Sequence, residues 1–155
     1  MFPGNEVRLM NAYFVTCTGC EKDAEGNITA VHCTYDPASR GGNSPDGRKV
    51  KGTIHWVAAQ TAIPAQIRLY ENLIDEEKAD EKGSIYDENG ELYLNPHSLI
   101  VKQGYLEPAF AGAKAYERFQ FVRQGFFCVD AKDSTPQKPV FNRIVSLKSS
   151  FVLPK

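Results

Sequence analysis

At 155 residues, with 42% apolar and 24% charged side chains, the chain has the composition of an ordinary globular protein, either one domain or two small ones. No apolar run approaches the roughly 18 residues of a membrane-spanning helix. The N-terminus, Met1-Phe2-Pro3-Gly4, also lacks the apolar core of a signal peptide, so no membrane partner and a cytoplasmic location are the expectation. The net charge of −1 hides a division: residues 71–91 hold nine acidic side chains and two lysines, a local balance of −7, which leaves +6 on the remainder. That excess permits a polyanionic partner without requiring one.

In chain order, Val7 to Thr16 is rich in Val, Leu, Tyr and Phe and predicts a first strand. Asp23-Ala24-Glu25-Gly26-Asn27 is a turn signal that joins a short strand near Cys20 to one over Ile28 to Tyr35, giving a hairpin. Residues 36–46, with Pro37, Gly41, Gly42 and Pro45, read as a loop. From Gly47 to Val57 the side chains alternate, with Val50, Gly52, Ile54 and Trp56 on one face and Lys51, Thr53, His55 and Val57 on the other. This pattern predicts a strand with cations at its start. A helical turn at Ala58 to Ala62 stops before Pro64, and a strand resumes at Gln66 to Tyr70. Asp75 to Lys82 suits a short exposed helix, and Asn89-Gly90 a tight turn. Ser98 to Gly104, Lys114 to Arg123, Phe126 to Val129 and Val140 to Leu147 complete the predicted strands. Short strands separated by Gly and Pro turns, with few helical periods, argue for barrels.

Catalytic chemistry is sparse. His32, His55 and His97 stand in no Ser-His-Asp, Cys-His or His-x-x-x-His context, and Gly41-Gly42 lacks the Lys-Ser or Lys-Thr of a phosphate loop. Cys17-Thr18-Gly19-Cys20 has the spacing of half a zinc site, but no second close pair follows it, so reduced and mostly buried cysteines are expected, with no metal. Binding chemistry is better represented. Phe119-Gln120-Phe121-Val122-Arg123 offers planar rings, an amide and a guanidinium, the groups that hold unstacked RNA bases and phosphate. Alternation puts Gln120 on the face opposite Phe119 and Phe121, free to reach a base while the rings anchor the strand. A half-buried core strand with polar outer residues fits the same pattern.

A series of segments then carries a resemblance. Arg8-Leu9-Met10-Asn11-Ala12-Tyr13, Lys22 to Ile28, Cys33-Thr34-Tyr35-Asp36, Asp46 to Val57, Ile67-Arg68-Leu69-Tyr70, Lys102-Gln103-Gly104, Phe119-Gln120-Phe121, Gly125 to Cys128 and Lys138 to Arg143 resemble, in this order, the C-terminal anticodon-binding region of class I glutaminyl-tRNA synthetases of the bacterial type. The resemblance implies an all-β fold of two small β-barrels, of the kind found in a ribosomal protein that binds 5S rRNA. The expected division is a distal barrel at residues 1–75, an acidic connecting loop at 76–95, and the C-terminal part of a proximal barrel at 96–155. Because the family's proximal barrel also draws strands from upstream of Arg8, that second barrel is expected to be incomplete, with an open edge through which the fragment self-associates. The full-length enzyme is expected to be monomeric.

By the same resemblance, Gln120 and Arg123 stand where the family holds the middle anticodon base, a uridine. Arg8 stands beside the first base, and Met10 occupies a neighbouring contact position that is often arginine. A thioether packs under a base but donates no hydrogen bond, so the family's way of reading the first base does not transfer to Met10. Arg48, Lys49, Lys51, Arg143 and Lys148 are candidate phosphate contacts. The implied partner is tRNA(Gln), and the implied activity of the whole enzyme is glutamine-tRNA ligation. No ATP-binding signature of the HIGH or KMSKS type occurs here, so ATP and Mg are expected to serve a catalytic domain outside this chain, which holds no cofactor and does no catalysis itself. Two alternatives stand beside this reading: the equivalent barrels of an archaeal or eukaryotic glutamyl-tRNA synthetase, and a free-standing barrel that binds rRNA or protein.

Overall fold

The computed structural model describes residues 1–147, which form two compact units, Met1–Trp56 and the chain from Val57 onward. The all-β expectation holds: nine strands and one short helix make up the regular structure of the described residues, with two brief 3-10 turns between them.

The first unit is a four-stranded sheet of β1 (Glu6–Leu9), β2 (Phe14–Lys22), β3 (Ile28–Asp36) and β4 (Thr53–Ile54), in the order β3-β2-β1-β4. The predicted strand over 7–16 is in fact two. Asn11 takes a positive φ of 58°, and the Ala12 N–H donates to the Leu9 carbonyl, so the chain reverses and β1 pairs antiparallel with β2. Asn tolerates this conformation at modest cost. The β2–β3 hairpin forms as expected, its turn closed by the Asp23 carboxylate, which accepts from the Asn27 N–H at 2.7 Å, with Gly26 at φ 85°. Val7, Val15 and Cys17 are buried on one face, and Phe14 on the other. Residues 37–48 fold over Phe14: the Phe14 N–H donates to the buried Ser39 hydroxyl, which donates onward to the Asp36 carbonyl.

The long strand expected over 47–57 shrinks to Thr53–Ile54. Gly47 and Gly52 sit at φ 69° and 93°, which breaks the extended run at both ends of the cationic stretch. Trp56 is left 41% exposed, its indole N–H donating to the Met10 carbonyl.

The second unit is a five-stranded sheet of β5 (Ile63–Tyr70), β6 (Leu99–Leu106), β7 (Arg118–Phe121), β8 (Gly125–Val129) and β9 (Val140–Val145), in the order β6-β5-β9-β8-β7. β5, expected in the N-terminal half, is here the second strand, antiparallel to β6 and parallel to β9. β5 thus belongs to the compact unit that begins at Val57. The helix α1 (Glu76–Lys82) within residues 71–98 is capped by Asp75, whose carboxylate accepts from the Lys78 N–H, and closed by Gly83 at φ 64°. The strand expected over 114–123 is shortened to β7, because residues 114–117 form a turn with Tyr116 at φ 68°.

The core of this unit is Ala65, Leu106, Phe127, Val129 and Phe141. Phe110, Phe119 and Phe121 pack against it, with Phe121 stacked on Phe127 at 4.5 Å between ring centroids. On the other face Asp130 binds the loop that follows it: its carboxylate accepts from the N–H groups of Lys132 and Asp133 and from the Asn142 amide, and pairs with Arg68. Neither sheet closes into a barrel among the described residues. β3 and β4 end the first sheet, and β6 and β7 the second.

Candidate nucleic-acid interface

The β7–β8 hairpin carries the first pair of candidate residues. Phe119 and Phe121 turn inward to the aromatic core, while Arg118 and Gln120 are exposed on the other face. Gln120 pairs across the ladder with Phe126, whose ring is 43% exposed, so an amide and a planar ring lie side by side on one surface. The hairpin turn closes with the Gln124 N–H donating to the Phe121 carbonyl at 2.9 Å. Arg123 is exposed within that turn and takes a positive φ of 64°. The sequence pattern foresaw the inward rings and the outward amide, but not the strained backbone at Arg123.

Arg8 and Met10 lie in the other unit. Arg8, on β1, holds its guanidinium 5.2 Å from the centre of the Phe14 ring, and Arg48 holds its own 5.1 Å from the same ring. Two cations thus share one aromatic side chain. The Arg8 Nε is buried without a hydrogen-bond partner among the described residues. Met10 directly follows β1 and is half-buried; its N–H donates to the Ile54 carbonyl.

Arg48 is the most heavily engaged of the candidate phosphate contacts. Its guanidinium pairs with Glu6 at 3.0 Å, Asp36 at 2.5 Å and Asp46 at 2.7 Å. These three carboxylates hold the Arg48 pKa above its ordinary value. The Ser44 hydroxyl and then Arg48 pull Asp46 down to about 2, and Arg48 also lowers Asp36. The cluster was missed in the sequence because Glu6 lies 42 residues from its partner. To meet a phosphate, Arg48 would have to exchange at least one carboxylate. Lys49 and Lys51 are exposed, and no carboxylate pairs with either among the described residues. Arg143 pairs with Glu71 at 2.5 Å, and Lys148 lies outside the described residues.

The Arg48 cluster has a pH signature. Asp36 and Asp46 titrate lower in the folded state than the ordinary carboxylate value of 3.8, so their contribution is present above that value and is lost as pH falls toward 2. Acid should lower the melting midpoint of the first unit over that window, read through the fluorescence of the single tryptophan, Trp56. Arg48→Met should flatten the dependence. An unchanged acid slope in the variant would show that the cluster does not govern it.

Among the described residues no three His, Cys, Asp or Glu side chains converge to hold a metal ion, and no helix is long and apolar enough to cross a membrane.

Comparison with known proteins places these surfaces in context. The family described as the anticodon-binding domain of class I tRNA synthetases for glutamate and glutamine matches residues 1–36 and, through a second family model of that description, residues 53–130. A glutamine–tRNA ligase from Clostridium kluyveri is 55% identical over 157 aligned residues, covering 100% of this chain and 27% of its own length. One from Clostridioides difficile is 52% identical over 97% of this chain and 26% of its own length. One from Haemophilus influenzae is 49% identical over 96% and 26%. The chain thus spans about a quarter of the length of these relatives. With two open β-sheets, an amide and a cation exposed on one hairpin, and family matches in both units, the chain belongs to the anticodon-binding domains of the class I glutamyl- and glutaminyl-tRNA synthetases.

Proposed function

We propose that this chain is the anticodon-recognition part of a glutamine–tRNA ligase and grips the anticodon loop of tRNA(Gln) for a catalytic region elsewhere in that enzyme, in the cytoplasm. The observation that carries the reading is the β7–β8 hairpin, where Gln120 is exposed on a strand whose alternate rings are fixed in the core. A carboxamide offers one donor and one acceptor to the edge of a uracil, and a guanidinium adds a charged bond to base or phosphate. Phe126 beside Gln120 supplies a face on which an unstacked base can lie. Arg8 and Met10 would flank the first anticodon base, with Lys49, Lys51, Arg48 and Arg143 toward phosphate. Relatives named as glutamine–tRNA ligases support the glutamine assignment over the glutamate one. ATP and Mg would act in the catalytic region; no residue described here is assigned to them. The exposed Leu99 and Val101 on edge strand β6 suit self-association of the chain when it is isolated.

Binding to anticodon stem-loops tests the reading. The parent should prefer a middle uridine, with affinity falling as salt rises. Gln120→Ala should remove most of that preference, by roughly tenfold, as expected for loss of a base-reading pair worth about 1–3 kcal/mol. Arg123→Ala should weaken all stem-loops alike and reduce the salt dependence if its partner is phosphate. Equal binding by parent and both variants would remove the hairpin from the interface. Tight binding to rRNA fragments with indifference to the anticodon would favour the free-standing RNA-binding module instead.

A further inference from the structure

The β2–β3 ladder places Cys17 directly opposite Cys33. The Cys17 N–H donates to the Asn5 carbonyl at 3.0 Å, and its carbonyl accepts from the Gly4 N–H at 2.8 Å. Both backbone groups of Cys17 therefore point away from β3. In an antiparallel ladder this makes Cys17 and Cys33 a non-hydrogen-bonded pair, the kind in which facing Cα atoms lie about 4.5 Å apart and side chains project to the same face at closest approach. Disulfides span Cα separations of about 4.4–6.8 Å.

We propose that Cys17 and Cys33 are a redox modification site that closes a reversible disulfide across the β2–β3 hairpin. The two thiols differ in access: Cys17 is buried at 3% exposure, whereas Cys33 is exposed. That asymmetry divides the roles. A peroxide meets Cys33 first: the Cys33 thiolate attacks one peroxide oxygen, the O–O bond breaks, and the departing hydroxide takes a proton to leave water and a Cys33 sulfenic acid. The Cys17 sulfur then attacks the Cys33 sulfur, the S–O bond breaks, and hydroxide leaves as a second water with the proton from Cys17. Two thiols and one hydrogen peroxide become one disulfide and two waters. Desolvation, and then the neighbouring Cys17, hold the Cys33 pKa above its ordinary value, which lowers its thiolate fraction and slows the first step. β3 is the edge strand of its sheet, so the bond would pin that edge to β2. The nearest competitor is Cys20, which is exposed but stands opposite Val31.

The test treats the 155-residue chain with a small excess of hydrogen peroxide, alkylates the remaining thiols, and maps the disulfides in a non-reducing digest. The expected result is a fall from four free thiols to two, a crosslinked peptide joining Cys17 to Cys33, and full recovery with dithiothreitol. Cys20→Ser should leave the crosslink intact, and Cys33→Ser should abolish it and leave Cys17 unmodified. A Cys20–Cys33 bond, a crosslink between two chains, or Cys33 oxidised to sulfinic acid with Cys17 still a free thiol would each overturn the assignment.

Discussion

Phe141→Ala should destabilise the second unit by about 3–5 kcal/mol, the range for removing a large aromatic side chain from a packed interior. Phe141 is 0% exposed on the parallel strand pair β5–β9. Its ring lies 5.3 Å from Phe121, 6.0 Å from Phe110 and 6.1 Å from Phe119. No neighbour can collapse into the space without losing its own contacts, so most of the cavity should persist. Set against a typical domain stability of about 5–15 kcal/mol, a loss of that size leaves the unit marginal. Phe126→Ala is the matched control: the same side chain, 43% exposed and one strand away on the opposite face, should cost under about 1 kcal/mol. Urea unfolding of both variants measures the difference. Equal losses would mean that the aromatic cluster is not the centre of this core.

The legible parts of this fold were those that short-range chemistry dictates. Asp23 to Asn27 contains its own turn, and the Asp23 carboxylate lies four residues from the amide it receives. Asp75 and Gly83 cap α1 with side-chain and backbone groups from within one or two turns. The inward-outward alternation of Phe119, Gln120 and Phe121 follows from the period of a strand. What the sequence hid lies at longer range. β5 pairs in parallel with β9, more than seventy residues on: Ile67 faces Phe141 and Arg68 faces Asn142. No local pattern distinguishes that pairing from one with the hairpin before it. The cations of Arg48, Lys49 and Lys51 read as one patch, but folding separates their fates: Arg48 turns back onto Phe14 and three carboxylates, while both lysines remain exposed. Within the candidate site, Gln120 was legible from alternation and the Arg123 backbone was not, because a positive φ at arginine has no compositional signal.

Gly125→Ala should cost about 2–6 kcal/mol and disturb the interface as well as the fold. Gly125 opens β8 directly after the turn that bears Arg123, at φ 143°, where L side chains are strained. A Cβ there would lie 2.4 Å from the Val145 carbonyl oxygen and 3.2 Å from the Ser146 Cα. These are backbone atoms that cannot rotate aside, so overpacking adds about 1–3 kcal/mol to a strain of similar size. Relief requires β8 to move away from β9, and Phe126 is the next residue, paired with Gln120 on one side and Val145 on the other. The Gln120 amide, the Phe126 ring and the Arg123 turn would then shift together. Stem-loop affinity, measured where the variant is still folded, should therefore fall severalfold, more than the unfolded fraction explains. Gly112→Ala provides the comparison, since a Cβ at Gly112 meets nothing within 4 Å and its φ is ordinary. It should leave stability and binding unchanged. If Gly125→Ala lost stability but the folded protein kept parental affinity and preference for a middle uridine, the hairpin end would be a packing feature only, and the positioning of Gln120 and Arg123 would have to come from β7 alone.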